Sequence, residues 1–251
     1  QGYKTAFIGK VGNDIFGRQL KAVVQEAGIN TDGLVTDESV NTTLAFVHTL
    51  PGGDREFSFY RNPGADMMLS ESDIDYKLVQ NSRIFHFGSL SMTGEICEAA
   101  TKKAVETAKE SCAIISFDPN LRENLWDSLD KAREKIAYGI SECDILKISD
   151  NEIQWFTGEQ DFDRAVEILR GRYGNIKLLL LSLGKNGSRA YCGENSAFAP
   201  AAPANTIETT GAGDTFCGGI LAKVLEYGLR NYSAEELTGI LNYANSAAGI
   251  V

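Results

Sequence analysis

From Ile84 to the end of the chain, short apolar runs alternate with longer stretches whose apolar residues recur every three to four positions. The runs at 84–88, 113–117, 144–148 and 177–182 predict strands, and the stretches at 94–109, near 127–141, 150–157 and 161–173 predict helices between them. A short β-stretch follows at 188–192, another strand near 205–208, and a helix over 214–228. A last helix begins near Ser233, an N-cap ahead of Glu235 and Glu236. Repeated β–α units of this kind give a mostly parallel sheet flanked by helices on both faces, because each helix is the crossover that returns the chain to the next parallel strand. The expected fold class is therefore α/β, doubly wound, with residues 1–251 forming one domain. The chain opens at Gln1 without a methionine and stops at Val251 inside an expected helix, so it is read as part of a longer protein.

The first eighty residues follow another rhythm. Asp14–Ala27 has helical spacing in Ile15, Phe16, Leu20, Val23 and Val24 and ends at Gly28. Residues 43–48 and 55–61 alternate in the two-residue period of strands around the turn Pro51-Gly52-Gly53-Asp54. This hairpin does not fit the crossovers. It is expected as a small β lid over about residues 42–62, with Leu44, Phe46, Phe57 and Phe59 on one face.

Charge and cysteine usage narrow the function. With 24 basic and 34 acidic residues the net charge is −10, a surface that repels nucleic acid and anionic membrane. No apolar run approaches the ~20 residues of a membrane span, and no signal peptide opens the chain, so a cytoplasmic location is expected. Cys97, Cys112, Cys143, Cys192 and Cys217 include no C-x-x-C pair, which excludes zinc-ribbon and thioredoxin-like sites. His48 and His86 are the only histidines, and His86, inside Ile84–Phe87, is expected as a satisfied core residue. No G-x-S-x-G elbow is present for serine hydrolysis.

The most specific segment is Thr209-Thr210-Gly211-Ala212-Gly213-Asp214-Thr215-Phe216, between a short β-run and an apolar helix. Small residues let the backbone approach a ligand, and the free N–H groups of a helix start face an anion. A carboxylate beside that cradle suits phosphoryl transfer to a hydroxyl: the N–H groups stabilise the transferring charge while Asp214 takes the proton. For an isolated Gly-Ala-Gly the plainer reading would be a tight turn capped by Asp214. Neither Gly9-Lys10 nor Gly184-Lys185 belongs to a Walker A loop, and no G-x-G-x-x-G exists.

The octet and its surroundings resemble the ribokinase-type sugar kinase family over essentially the whole chain. Gly9-Lys10-Val11-Gly12-Asn13-Asp14-Ile15-Phe16-Gly17 resembles the family's G-x-V-G-x-D-x-F-G stretch, and Asp118-Pro119-Asn120-Leu121-Arg122 its D-x-N-x-R segment. Ser182-Leu183-Gly184-Lys185-Asn186-Gly187 is similar to the nucleotide loop, and Asn242 and Asn245 stand where the closing helix borders the adenine. Within the family, the 43–47 and 57–66 segments look most like fructokinases. The resemblance implies Asp214 as general base and sugar contact, with Gly211, Ala212 and Gly213 as the anion hole. It implies that Asn120, Arg122, Ser182, Gly184, Gly187 and Asn245 bind ATP, and that Arg61 and Tyr60 reach the sugar.

Three positions depart from the family pattern. Its N-terminal Gly-Gly sugar-binding segment is not in this window. Its N-x-x-E motif, which supports Mg²⁺ through water, reads Ser149-Asp150-Asn151-Glu152, so Glu152 matches and Ser149 replaces the asparagine. Glu208 opens the octet in place of the usual aspartate, which leaves a monovalent cation such as K⁺ an open question. The resemblance implies an ATP- and Mg²⁺-dependent sugar kinase making fructose 6-phosphate from fructose. The alternatives are a 2-keto-3-deoxygluconate kinase or ribokinase and, in another class, a non-catalytic sugar or nucleotide sensor. An NAD-linked enzyme is disfavoured by the missing glycine fingerprint. The expected partners are the sugar and ATP, with a second copy of the chain paired through the lid.

Overall fold

A computed structural model describes residues 2–49, 55–203 and 211–250. The chain divides into two compact units. The first holds residues 1–82, 90–113 and 124–126. In it β1 (Gly9–Gly12) pairs in parallel with β2 (Leu34–Asp37), joined by α1 (Ile15–Glu26). Asp14 caps α1 by accepting from the Gly17 N–H, and its other contacts, from the Thr42 N–H and hydroxyl, tie the helix start to the segment before the hairpin. The α1 helix is where the spacing placed it, but Ile15, Phe16, Leu20 and Val23 are exposed, and nothing among the described residues explains that apolar stripe.

The hairpin is an isolated two-stranded antiparallel sheet, β3 (Leu44–Thr49) with β4 (Arg55–Tyr60). Its register corrects the expected lid face. Leu44 pairs with Tyr60, Phe46 with Ser58, and Val47 with Phe57. Partners across an antiparallel ladder share a face and successive residues alternate, so Leu44 and Phe46 lie on one side and Phe57 and Phe59 on the other. Phe46 meets Tyr60 edge-on at 5.5 Å, and Phe57 stacks with Phe59 at 6.0 Å. The unit is completed by α2 (Tyr76–Gln80) and α3 (Glu95–Glu110).

The second unit is built on a six-stranded sheet. Its strands are β5 (Ile84–Gly88), β6 (Ile114–Asp118), β7 (Ile145–Ser149), β8 (Leu178–Ser182), β9 (Ser188–Cys192) and β10 (Asn195–Ala199), in sheet order β10-β9-β8-β7-β6-β5. The first four run parallel, as the crossovers require, and β9 and β10 continue antiparallel as tight hairpins. β10 was not legible in the sequence, because Asn195-Ser196-Ala197-Phe198-Ala199 carries little apolar weight. The strand expected near 205–208 lies outside the described residues.

Helices cover both faces of this sheet. On one face α4 (Leu129–Glu142) brings Gly139 against the Phe117 ring, with α5 (Asp150–Thr157) and α6 (Phe162–Arg172) packed to each other. On the other, α7 (Ala212–Tyr227) and α8 (Ala234–Ala248) bury Phe216, Ile220, Val224, Leu237, Ile240 and Leu241 on Ile145, Leu178 and Leu180. Ser233 caps α8 in a reciprocal capping box with Glu236. Strand alternation then assigns each residue a face. Ser116 is level with Ile145, and Lys147 follows Ile145 by two, so Ser116, Ile145 and Lys147 all look towards α7 and α8. His86, paired with Ser116, shares that face; it stands on the edge strand, its Nδ1 3.0 Å from the Ser116 hydroxyl, with part of the residue reaching solvent.

Candidate active site

In a parallel sheet the strands deliver their last residues to one edge, and the loops beyond that edge form the usual ligand crevice. Here the strand ends supply Asp118, Ser149 and Ser182, and α7 starts beside Lys147, whose Nζ is 3.5 Å from a Cβ position at Gly213. Gly211 is the N-cap of α7 in the left-handed conformation (φ +84°), which a glycine adopts without penalty. Among the described residues no side chain caps the helix, and the backbone N–H groups of its first turn, which have no intrahelical partner, can serve an anion as a cradle. Asp214 is the third helical residue and is exposed. Among the described residues it makes no capping hydrogen bond, so nothing described supports the plainer reading of it as a helix cap. Thr209, Thr210 and Glu208 lie outside the described residues.

Behind the cradle sits a buried ion pair that the sequence reading did not single out. Lys147 Nζ lies 2.9 Å from Asp118 Oδ2, with side chains only 8% and 5% exposed. Burial pushes the Asp118 carboxyl up to about 6, against the pull of Lys147, and Glu152 and Asp214 push the same way. For Lys147, burial acts downward but is outweighed by Asp118 and Glu152, so the ammonium stays charged above the usual lysine value. Asp118 Oδ1 also accepts from the Asn120 N–H at 3.2 Å, an Asx-type turn that holds Asn120 at φ +44°. One signal was available in the sequence: a lysine inside the apolar strand Ile145-Leu146-Lys147-Ile148, a position lysines almost never fill unpaired.

Glu152 ties two of these loops together. Its Oε1 accepts from the Leu121 N–H at 2.7 Å, and its Oε2 from the Ser149 N–H and hydroxyl at 2.8 and 2.7 Å. Ser149-x-x-Glu152 is thus a capping box at the start of α5, a local reason for serine where the family pattern has asparagine. Arg122 donates to the Leu121 carbonyl in the same loop. The Ser182–Gly187 loop turns back into β9 through Gly184 (φ +53°) and Gly187 (φ +101°). Asn245 does not present its amide outward. It is buried, accepting from the Ser188 hydroxyl at 2.9 Å and donating to the Ala199 and Pro200 carbonyls, so it clamps the nucleotide-loop hairpin to α8. Asn242 is exposed on α8.

Arg61 and Tyr60 belong to the first unit. Arg61 turns inward instead of extending: Nε donates to Asp66 at 2.7 Å, Nη1 to the Thr93 hydroxyl at 2.7 Å, and Nη2 to the Leu90 carbonyl at 3.0 Å. Its side chain is 6% exposed, and the group it leaves facing solvent is the half-exposed Asp66 carboxylate. Tyr60 is exposed on the lid beside Phe46.

The pfkB carbohydrate kinase family model matches residues 1–251. The chain belongs to the pfkB family of carbohydrate kinases. This carbohydrate kinase is 38% identical over 249 residues to a probable fructokinase-2 of Arabidopsis thaliana, covering 99% of this chain and 75% of that one. It superimposes with a TM-score of 0.89 on a fructokinase from Vibrio cholerae O395 solved with fructose, ADP and calcium ion bound, at 27% identity and over 98% of this chain and 78% of that one. A fructokinase from Xylella fastidiosa with bound ATP gives a TM-score of 0.89 at 28% identity, over 99% and 79% of the two chains. No helix among the described residues is long and apolar enough to cross a membrane.

The residues of this carbohydrate kinase fit a phosphorylated nucleotide: an uncapped helix start with a buried ammonium beside it is chemistry for phosphate oxygens. No cluster of three or more His, Cys, Asp or Glu forms a ready-made metal cage among the described residues. Both Glu152 oxygens already accept backbone or hydroxyl hydrogens. That donor set suits a cation held mainly by phosphate oxygens and water, the usual habit of Mg²⁺.

Proposed function

We propose that this carbohydrate kinase transfers the γ-phosphoryl group of ATP to D-fructose, giving fructose 6-phosphate and ADP. The observation that carries the reading is Asp214: an exposed carboxylate on the first turn of α7, with no bond to it and no side-chain cap on the helix among the described residues. In the transfer, the sugar hydroxyl oxygen forms a bond to the γ-phosphorus as the bond from that phosphorus to the ADP oxygen breaks. Asp214 accepts the hydroxyl proton. The N–H groups of Ala212, Gly213 and Asp214 hold the charge spread over the equatorial oxygens. Asn120, Arg122 and the Ser182–Gly187 loop would receive the nucleotide, and the resemblance assigns Arg61 and Tyr60 to the sugar. Mg²⁺ bound with the nucleotide would neutralise phosphate charge, with Glu152 meeting it through water and Ser149 as a further hydroxyl; a monovalent cation such as K⁺ is a further candidate cofactor.

Fructose is favoured because the similar proteins are named fructokinases and the 43–66 segment resembles theirs. A panel measuring ADP release with fructose, ribose, 2-keto-3-deoxygluconate and no sugar tests the choice. Fructose should give the highest kcat/KM. A tenfold preference for ribose or 2-keto-3-deoxygluconate, about 1.4 kcal/mol of transition-state discrimination, would overturn fructose while leaving the kinase. Silence with every sugar would favour a sensor.

We further infer that two copies associate through the lid. Two strands alone are marginal in water, and this pair exposes Phe46, Val47 and Tyr60. Sedimentation should find a dimer at micromolar concentration, and Phe46→Glu should shift it to monomer. A wild-type monomer removes the idea.

A further inference from the structure

We propose that Lys147, tethered by Asp118, is the cation of the anion cradle and positions and stabilises the transferring phosphoryl group from behind the first turn of α7. The inference rests on the kinase reading above and adds a residue to it.

Three observations lead there. The first is place. Alternation along β7 turns Lys147 to the face covered by α7, and its Nζ is the nearest group to a side chain built at Gly213, 3.5 Å from that Cβ position. Gly213 is the second residue of α7, so the ammonium lies against the turn whose N–H groups form the cradle.

The second is electrostatic. A helix start carries partial positive charge, and a buried cation beside it is repelled. Burying an ion pair is itself costly, and apolar residues of similar volume are often neutral or stabilising in its place. Stability alone therefore does not account for Lys147. An anion bound at the cradle attracts both the ammonium and the helix start, and that attraction offsets their mutual repulsion.

The third is charge count. Glu152 and Asp214 both act on Asp118, and Lys147 is the cation buried against it. Without it, three carboxylates would face a polyanionic substrate. With one ammonium proton on Asp118, two remain, and among the described residues Asp118 is their sole hydrogen-bonding competitor. Asp118 has no proton to transfer in this scheme and Lys147 keeps all of its own. Their part is to hold charge in place while the proton goes to Asp214.

The test is a double-mutant cycle on the full chain, with fructose and ATP as substrates. Lys147→Met should lower kcat about a hundredfold with KM for fructose within about threefold, weaken ATP binding, and leave adenosine binding unchanged in calorimetry. Lys147→Arg should stay within about tenfold of wild type. Lys147→Met leaves Asp118 buried and unpaired, so the decisive variant is Lys147→Met with Asp118→Asn, which removes both charges and keeps the acceptor for the Asn120 N–H. It should be as slow as Lys147→Met, and Asp118→Asn alone should lose less than about tenfold. Recovery of the double variant to the Asp118→Asn rate would show that Lys147 only neutralises Asp118, and overturns the inference alone. Equal weakening of ATP and adenosine does the same. If the double variant does not fold, a Lys147→Arg variant that folds yet falls as far as Lys147→Met overturns it, and one that keeps its rate upholds it. Wild-type protein that releases no ADP with any sugar overturns the kinase reading and the inference with it.

Discussion

Asp214→Asn should turn over fructose at least a hundredfold more slowly than wild type while binding ATP as tightly or slightly more tightly. A sugar hydroxyl is a poor nucleophile until a base takes its proton as the bond to phosphorus forms. General-base assistance is typically worth 10²–10⁴-fold, about 3–5 kcal/mol of barrier. Asparagine keeps the shape but loses the negative charge and with it the ability to accept that proton. The geometry makes the experiment clean: Asp214 is exposed, lies inside the helix rather than at its cap, and supports no neighbour by a hydrogen bond among the described residues. Its replacement should therefore leave thermal stability within about 0.5 kcal/mol, the usual range for surface positions. Removing a negative charge beside bound phosphate acts in favour of ATP. A variant that keeps more than about a tenth of wild-type kcat would remove Asp214 from the role of base.

Gly187→Ala should be the most destabilising single-methyl change in the nucleotide loop, by about 3 kcal/mol or more. Gly187 has φ +101° and ψ −142°, a region that side-chain-bearing residues essentially never occupy. A Cβ there would overlap the Ala199 carbonyl oxygen and approach Pro200 Cα at 2.7 Å and Ala201 N at 2.8 Å. All three are backbone atoms, so no rotamer relieves the overlap; the crossing of the loop under the 199–201 strand exit has to open. Asn245 holds that same exit, so the ATP loop should loosen with it. For a chain of this size the loss corresponds to a fall in Tm of roughly 6–12 °C. Gly184→Ala is the matched control. Its φ of +53° is left-handed, but a Cβ meets nothing within 4 Å, and the cost should be about 1–2 kcal/mol. Equal melting temperatures for the two variants would contradict this account.

Much of the fold is local, and local features are written in the residues themselves. Apart from β10 and the strand expected near 205–208, which lies outside the described residues, the strands and helices from Ile84 onward appear within one or two residues of their expected places, because period-two and period-3.6 apolar patterns act over a few neighbours. The Asp14 and Ser233 caps and the glycine-rich start of α7 are of the same kind. One local signal went unused: Ser149-x-x-Glu152 is a capping-box pattern, and the structure shows both halves made.

What the residues did not reveal depends on partners far along the chain. The lid alternation was legible, but which phenylalanines share a face depends on how β3 and β4 align, and a one-residue shift exchanges every side. Arg61 looked free to reach a ligand because its partners Thr93 and Leu90 lie about thirty positions away. Asn245 looked like an adenine contact because the groups that use its amide, Ser188, Ala199 and Pro200, come from 45 to 57 positions earlier. The exposure of Ile15, Phe16, Leu20 and Val23 shows the same limit: spacing specifies a helical stripe, and only packing decides whether anything covers it.

The sequence by itself determined the alternation of parallel strands and crossover helices, which brings the strand ends to one edge of the sheet, and it carries the family's motif around Asp214. Tertiary structure alone placed Lys147 against Asp118 and behind α7. Nothing near Lys147 in the sequence announces a carboxylate: the pair is made by strand register across β6 and β7, twenty-nine positions apart. Its electrostatic weight comes from burial, since a charge removed from water interacts far more strongly with its neighbours than one left in it.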